Sequence, residues 1–149
     1  MIRTMTIEDY EGVYALWKSI KGFSLRSIDD SKESIERFLR RNPCTSVVAV
    51  EDGEIVGSIL CGNDGRRGCM YHVCVHRLYR RRSIGESMVA ACIKALREEG
   101  INKVSLIAFT KNEAGNAFWN RIGWTKREDL NYYDLVLNEE NIEQIVTMQ

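Results

Sequence analysis

A run of three arginines followed by a serine and a glycine is the most chemically suggestive feature of the sequence. The run, at residues 80–85, lies between a segment of alternating apolar residues and a segment with helical spacing. Backbone amides are unpaired in the first turn of a helix, where the helix dipole is positive. Such a turn binds phosphate, and arginines add charge and bidentate contacts that suit a pyrophosphate.

Two other interpretations of this turn are open. A basic run is usually a solvated surface, and Ser83 with Glu86 has the spacing of a capping box, which would serve any helix. A nucleic-acid patch is the weakest alternative, because no aromatic residue separates the arginines and the chain carries 21 basic against 21 acidic side chains. We therefore expect no nucleic-acid partner.

The segment before the turn predicts a strand. Residues 69–75 alternate, so that Tyr71, Val73 and Val75 are expected on one face and His72 and Cys74 on the other. The segment after the turn predicts a helix from Ile84 that ends at Gly100, because its apolar residues recur every three or four positions.

The remaining patterns predict a single α+β domain over residues 1–149, with a mixed, mostly antiparallel sheet flanked by helices. Further strands are predicted at 2–5, 103–109, 124–126 and 132–137, with a hairpin at 46–62 that turns at Asp52 and Gly53. Further helices are predicted after Thr6 and Ser31 and from Glu113. Residues 21–30 are predicted to be a loop, and residues 138–149 a helical turn or a frayed tail.

Composition limits the class of protein. With 149 residues, 44% hydrophobic and 28% charged, the chain suits one globular domain. Its five cysteines include no C-x-x-C pair, which favours free thiols and no metal. The first residues lack the pattern of a targeting segment, and no apolar run approaches the roughly 20 residues that cross a bilayer. We predict a cytoplasmic protein with no membrane contact, and a homodimer is left open.

The strand, turn and helix together resemble the acetyl-CoA signature of the GNAT superfamily of N-acetyltransferases, a strand followed by Arg/Gln-x-x-Gly-x-Gly/Ala and a helix. The resemblance implies acetyl transfer from acetyl-CoA to a primary amine of a small molecule or protein, by direct attack in a ternary complex. It also implies phosphate contacts from the turn and pantetheine contacts from the strand. The residues concerned are Arg80, Arg81, Arg82, Ser83, Ile84 and Gly85 for phosphate, and Val73, Cys74 and Val75 for pantetheine.

Residues 112–124 resemble the second GNAT motif, Asn-x-x-Ala-x-x-Phe/Leu-Tyr-x-x-x-Gly-Phe. The match implies that Asn112, Gly115 and Trp119 lie at the cofactor, and helical spacing by itself places them on one polar face. Trp119 replaces the tyrosine that protonates the leaving thiolate in many family members. Because an indole N–H does not titrate, Trp119 is expected to shape the thioester pocket or to hydrogen-bond the sulfur.

The proton-transfer groups are less defined by the sequence. His72 is a candidate general base on the central strand, with a packed strand histidine as the alternative. Tyr71, Tyr132 and Tyr133 are candidate acids, with Tyr132 taken as the catalytic candidate and Tyr133 predicted to be core. Cys74 shares a face with His72, but residues two apart on a strand are about 7 Å apart, so a buried structural thiol is favoured over a nucleophile.

Two segments are expected to flank the acceptor, residues 22–30 and residues 62–68, with solvated turns as the alternative. Ser83 at a glycine position and Trp119 at a tyrosine position also motivate a competing hypothesis. In that hypothesis the chain is a non-catalytic acyl-CoA-binding or regulatory module.

Overall fold

The computed structural model describes residues 1–147, and most of its strands form one central sheet. The strands are β1 (Ile2–Thr4), β2 (Ser24–Arg26), β3 (Val47–Glu51), β4 (Glu54–Asn63), β5 (Gly68–Val75), β6 (Val104–Ser105) and β7 (Glu143–Ile145). The helices are α1 (Tyr10–Lys18), α2 (Lys32–Arg41), α3 (Ile84–Glu98) and α4 (Glu113–Arg121), with short 3-10 turns at Ile7–Asp9 and Arg77–Tyr79.

The central sheet has the order β1-β3-β4-β5-β6. Its pairs are antiparallel except β5 with β6, which is parallel. The predicted mixed, mostly antiparallel sheet with flanking helices is therefore confirmed.

Local sequence explains several element boundaries. The β3–β4 hairpin turns at Asp52 and Gly53, whose φ values of 50° and 78° are both in the left-handed region. Helix α2 begins after Ser31, whose side chain accepts a hydrogen bond from the Ser34 amide at 3.3 Å. It ends at Arg41, two residues before Pro43, which cannot continue a helix.

The sheet separates two apolar cores. On one face, α1 and α2 bury a cluster that includes Trp17, which is fully buried, and Cys74. On the other face, α3 buries a cluster that includes Met88 and Cys92. Helix α3 packs closely on β4, because a Cβ atom at Gly57 would be 2.8 Å from Cε of Met88 and the methionine side chain would have to move to accept it.

The predictions for the carboxyl-terminal part of the chain are partly wrong. Residues 124–126 and 132–137 are not strands, and Tyr133, predicted to be core, is 87% exposed. The predicted strand at 103–109 is paired only over β6. Alternation indicates a residue pattern that suits a strand, but a strand also requires hydrogen-bonded pairing. Residues 132–137 pair with none of the described strands.

The segments predicted as a loop and a tail contain strands instead. Strand β2, inside residues 21–30, pairs with β7, inside residues 138–149, with Ser24 opposite Ile145. Because β2 and β7 are far apart in sequence, neither short segment by itself indicates that the other is its pairing partner. Met148 and Gln149 lie outside the described residues. Among residues 1–147, none of the helices combines the length and apolar character that a bilayer crossing requires.

Candidate active site

The pairing between the two parallel strands of the sheet stops after two positions, and we call the unpaired edge of β5 beyond it the opening. Strand β5 pairs with β6 at only two positions, Gly68 with Val104 and Cys69 with Ser105. Beyond Cys69, β5 continues to Val75 while β6 has ended. Among the described residues, the edge of β5 over residues 71–75 thus has no strand beside it on this side. Such an edge can pair with an extended ligand through main-chain hydrogen bonds.

A β-bulge lies on β5 at the start of this opening. The pairing with β4 runs from Cys74 opposite Ser58 to Tyr71 opposite Leu60, so Ile59 opposes both His72 and Val73. His72 has a φ of 51°, in the left-handed region. A non-glycine residue held in this region costs on the order of 1–3 kcal/mol, and such strain often accompanies a functional site.

The bulge corrects the predicted faces of β5. Val73 and Val75 pack on the α3 side of the sheet, as one face of an alternating strand. Tyr71 does not join them, because its ring packs against Phe38 of α2 at 6.2 Å between centroids. Since the bulge inserts one residue, Tyr71 and His72 are neighbours on the same side of the sheet.

The arginine turn follows the open edge. Arg81 and Ser83 have φ values of 65° and 62°, and α3 begins immediately after them. A chain that passes through left-handed residues just before a helix directs several backbone N–H groups towards one point, which forms an anion-binding concavity. Arg80 connects this turn to the strand, because its Nε atom donates to the Val75 carbonyl at 3.1 Å. The Arg82 guanidinium lies 5.0 Å over the Tyr79 ring.

The capping box predicted from Ser83 and Glu86 is wrong. The Ser83 side chain forms no capping hydrogen bond to α3. A capping serine normally has extended backbone angles, and the left-handed conformation of Ser83 does not direct its hydroxyl at the free amides. The same conformation explains why a glycine suits this position. Gly85 lies two residues further along the chain, where a Cβ atom would be 3.4 Å from the Phe118 ring.

A histidine and an aspartate meet on the α1 side of the bulge. The His72 Nε2 atom lies 2.8 Å from Oδ1 of Asp30, which is only 5% exposed. The Arg26 amide donates to the other carboxylate oxygen at 2.7 Å and fixes the aspartate. The imidazole also packs between Trp17 and Phe23, at centroid distances of 4.7 and 4.8 Å. The ring is thus held by one hydrogen-bonding partner and two aromatic rings.

A family model described as the Acetyltransferase (GNAT) family matches residues 10–124, which include the opening, the turn and both histidines. The chain belongs to the GNAT acetyltransferase family. Among curated relatives, an acetyltransferase of Sodalis glossinidius is 33% identical over 87% of this chain and 89% of its own length. An acetyltransferase of Pectobacterium atrosepticum is 36% identical over 76% of this chain and 79% of its own length.

Solved structures share the GNAT fold. The PaiA N-acetyltransferase from Thermoplasma acidophilum, crystallised with coenzyme A, superposes with a TM-score of 0.72 over 97% of this chain and 98% of that one, at 16% identity. The aminoglycoside acetyltransferase AAC(6')-Iy, in complex with a CoA-linked bisubstrate analogue, gives 0.69 over 91% of this chain and 97% of that one, at 16% identity. The family and its curated members identify this chain as an N-acetyltransferase and favour an enzyme over a binding module.

The second GNAT motif forms the start of α4. The Asn112 Oδ1 atom accepts a hydrogen bond from the Gly115 amide at 3.0 Å and caps the helix. Because the Asn112 side chain folds over Gly115, a Cβ atom there would lie 2.4 Å from Asn112 Nδ2. Asn116 donates to the Phe109 carbonyl at 2.9 Å and so holds the helix start against the end of the preceding segment. This capping accounts for the glycine without a ligand, and contact of Asn112 and Gly115 with the cofactor stays a prediction.

Trp119 belongs to a group of three aromatic rings. Its ring is 4.6 Å from that of Trp124 and 5.0 Å from that of Phe118. All three rings pack against the core on the α3 side of the sheet. The role of Trp119 in shaping the thioester pocket of this GNAT enzyme stays a prediction.

Cys74 is confirmed as a buried thiol. It is 9% exposed, and its Sγ atom lies 3.5 Å from the Ser58 hydroxyl, which also accepts a hydrogen bond from the Trp17 indole. Burial raises the pKa of Cys74 to about 12, so the thiol does not ionise near neutral pH. His72 on the same face contacts Asp30, which argues against a Cys-His nucleophile pair.

Two of the candidate tyrosines lie near each other. Tyr71 is half exposed, and the neighbouring Cys69 together with burial raises its pKa well above the ordinary value. Tyr132, which is 65% exposed, lies close enough to contribute to that pKa shift. A raised pKa makes Tyr71 a weaker proton donor than an ordinary phenol.

The two segments expected to flank the acceptor lie in different places. Residues 22–30 supply Asp30 and lie beside His72. Residues 62–68 form a turn organised by Asp64, whose carboxylate accepts from two following amides. From this turn Asn63 donates to Glu99 at the carboxyl end of α3, the end opposite the arginine turn.

The sequence reasoning missed Asp30 as a functional residue. The sequence placed Asp30 only at the end of the segment 22–30 that is expected to flank the acceptor, and Asp30 is separated from His72 by 42 positions. No local pattern connects two residues at that separation. The burial of Asp30 is the feature that marks it as functional, and the sequence alone does not show which aspartates are buried.

Proposed function

We propose that this enzyme transfers an acetyl group from acetyl-CoA to a primary amine of a small molecule or protein by direct attack in a ternary complex. The observation that carries the proposal is the opening between β5 and β6, which leads to the turn at residues 80–85. An extended pantetheine arm fits along Val73, Cys74 and Val75, while the pyrophosphate fits on the amides of the turn. The CoA-bound PaiA and the bisubstrate complex of AAC(6')-Iy support this arrangement.

The cofactor contacts require one rearrangement. The Arg80 side chain donates a hydrogen bond to the Val75 carbonyl, and the pantetheine arm would need this carbonyl as its own acceptor. We infer that Arg80 releases this carbonyl when acetyl-CoA binds and moves to the phosphates with Arg81 and Arg82. The backbone of Ser83, Ile84 and Gly85 then supplies the amides at the start of α3.

The proposed chemistry begins with an uncharged amine. His72 accepts a proton from the acceptor ammonium, directly or through a water molecule, and Asp30 fixes the imidazole orientation. The amine nitrogen then attacks the thioester carbonyl, the C–N bond forms, and the C–S bond breaks. The departing thiolate takes a proton from Tyr132, because Trp119 has no titratable proton to give. The second proton that the nitrogen loses on becoming an amide restores the phenol through water. The backbone amides of the bulge are suited to the oxygen of the tetrahedral intermediate.

The remaining expectations are proposed on the same basis. We propose that residues 1–149 act as one acetyltransferase domain in the cytoplasm, which the five free cysteines support. The arginine turn serves the cofactor, so the proposal includes neither a nucleic-acid partner nor a metal.

Calorimetry with acetyl-CoA, followed by a thiol-release assay over a panel of amines at several pH values, tests this function. We expect binding of acetyl-CoA and release of CoA with at least one amine. Absence of a binding signal would contradict the cofactor assignment. Binding without turnover on any amine would contradict the acceptor class.

Arg82→Ala tests the role of the turn. We expect a higher KM for acetyl-CoA with a smaller change in kcat, because the arginine contributes to ground-state and transition-state binding alike. Arg97→Ala, an exposed arginine at the other end of α3, is the matched control and should leave both constants unchanged. A loss confined to kcat would place Arg82 in the chemical step instead.

A further inference from the structure

The segment at residues 22–30 supplies two of the side chains that hold the His72 ring. Asp30 is hydrogen-bonded to the imidazole, and Phe23 packs against it at 4.8 Å between ring centroids. The Arg26 amide, in the same segment, donates to the second carboxylate oxygen of Asp30 at 2.7 Å. The orientation of the imidazole therefore depends on how this segment is held.

The segment is held by the far end of the chain, residues 140–146. Strand β2 pairs with β7, and the contacts continue past the end of β2. The Ser27 hydroxyl donates to the Glu140 carbonyl and accepts from the Ile142 amide, both at 2.9 Å. These partners are 113 and 115 positions apart, so the link exists only in the folded protein.

Asn141 forms the contacts of this link that lie closest to Asp30. Its Oδ1 atom accepts hydrogen bonds from the amides of Ile28 and Asp29, both at 3.0 Å. Its Nδ2 atom donates to the Asp29 carboxylate at 2.8 Å. Because β2 ends at Arg26, a neighbouring strand no longer supplies acceptors to these amides, and one side chain does so instead. Asn141 thus fixes the two residues that precede Asp30.

The strand that supports Asn141 is itself anchored to the core. Val146, directly after β7, packs against the cluster that α1 and α2 bury. Its amide donates to the Phe23 carbonyl at 2.9 Å, and its carbonyl accepts from the Gly22 amide at 2.7 Å. In contrast, no backbone–backbone hydrogen bond within residues 1–147 involves residues 125–137, which connect α4 to this region. The core and residues 22–30, and not the connection from α4, therefore determine where Asn141 lies.

We propose that Asn141 is a positioning residue for proton transfer, which fixes the backbone before Asp30 so that Asp30 orients His72 towards the acceptor amine. This role rests on the proposed function of His72 and Asp30. Loss of the Asn141 side chain frees two amides and lets the segment shift, and a displaced base lowers kcat. Tyr10, which donates to the Asp30 carbonyl at 2.6 Å, still holds the other end of the segment, so the variant should fold.

Steady-state kinetics of Asn141→Ala tests the role. We expect kcat to fall by about 10-fold or more while the KM for acetyl-CoA stays unchanged, because the arginine turn is built from other residues. Asn138→Ala is the matched control, since the exposed Asn138 side chain accepts only from the Glu140 amide of its own turn, at 2.9 Å. It should keep the parent kcat. An unchanged kcat in Asn141→Ala, or equal losses in the two asparagine variants, would overturn the proposal.

Combination with His72→Gln separates positioning from a general weakening of the fold. If Asn141 acts through the imidazole, Asn141→Ala should cause no further loss of kcat in the His72→Gln background, because the two changes then affect one pathway. The same further loss in both backgrounds would overturn the positioning role alone. Full activity of His72→Gln would overturn the proposed mechanism and this role together, so the two failures are distinguishable.

An exchange of side chains provides a second test that retains the shape of the site. Asn141→Asp keeps an acceptor for the two amides but places a second carboxylate against Asp29, so kcat should fall. Adding Asp29→Asn restores a donor–acceptor pair with the roles exchanged, and most of the lost kcat should return. A double variant that is no more active than Asn141→Asp would count against the positioning role.

Discussion

The Nε2 atom of His72 lies 2.8 Å from Oδ1 of Asp30, and the contact joins the central strand to the segment between α1 and α2. The bulge at His72 makes the contact, because it brings the imidazole to the α1 side next to Tyr71. If this pair accepts the proton of the acceptor amine, His72→Gln should lower kcat by about 10²- to 10⁴-fold while acetyl-CoA affinity stays unchanged.

Asp30→Asn should also lower kcat, but by less than His72→Gln does. The asparagine amide still fills the space of the carboxylate but no longer stabilises a protonated imidazole. Asp29→Asn, at the neighbouring exposed carboxylate, should leave the rate unchanged. Equal effects of the two aspartate variants, or full activity of His72→Gln, would remove this pair from the mechanism. Steady-state kinetics with the best amine of the panel provides the measurement.

Replacing Ser83 with glycine should stabilise the protein. Ser83 has a φ of 62°, a conformation that costs a non-glycine residue about 1 kcal/mol relative to glycine. Ser87→Gly, at an exposed serine inside α3, should instead lower the free energy of unfolding by about 0.5–1 kcal/mol. Urea unfolding of both variants checks the expected opposite signs. A large loss of acetyl-CoA affinity in Ser83→Gly would show that the hydroxyl is a cofactor ligand.

Asn112→Ala should lower the free energy of unfolding by about 1 kcal/mol, because the capping acceptor for the Gly115 amide is lost. Asn120→Ala, an exposed asparagine in the same helix, should have no effect or a slightly stabilising one. Thermal unfolding compares the two. The affinity of the folded Asn112→Ala variant for acetyl-CoA then distinguishes a capping role from a cofactor role, since only the latter predicts weaker binding.

The Arg3 guanidinium holds the pKa of Asp9 below its ordinary value through two hydrogen bonds at 2.7 and 2.9 Å. Because the folded-state pKa is lowered, this contribution to stability is present above the unfolded pKa and is lost as pH falls through the folded pKa. Asp9→Asn should cost about 1–3 kcal/mol at pH 7, and the difference from the parent chain should shrink in acid.

The control for that variant is Asp129→Asn. Asp129 forms a similar two-bond pair with Arg127, but on the exposed surface, where water screens the interaction. We expect no measurable change in the free energy of unfolding at either pH. Urea unfolding of both variants and the parent chain at pH 7 and pH 3 provides the measurement. An equal loss of unfolding free energy in Asp9→Asn and Asp129→Asn would show that burial does not strengthen the Asp9 pair.

The cysteines should differ in reactivity. Cys44 is exposed, whereas Cys74 is buried and burial raises its pKa to about 12. Brief treatment with iodoacetamide at pH 8 should alkylate Cys44 and leave Cys74 unmodified in the native protein, because the thiolate is the reactive form. In denaturant both should react. Mass spectrometry of peptides measures the alkylation of each cysteine. Rapid alkylation of Cys74 in the folded protein would contradict its burial.

Much of the fold was predictable because its patterns are local. The stripes of α1, α2 and α3, the turn at Asp52 and Gly53, and the strand before the arginines all depend on residues a few positions apart. The same locality made the GNAT signature recognisable, since the turn and the helix that follow β5 are contiguous. The same contiguous motifs identified Ser83 and Trp119 as the residues at the family's glycine and tyrosine positions.

Other features depended on contacts between distant residues. The sequence by itself determined the strand, the arginine turn and the two helical motifs. Only the tertiary structure decided that a bulge places Tyr71 beside His72, that Asp30 reaches the imidazole, that β2 pairs with β7, and that residues 130–137 stay unpaired. The physical reason is that periodicity fixes which face of an element is apolar, whereas register and partner choice depend on the energy of packing elements that the chain brings together from far apart.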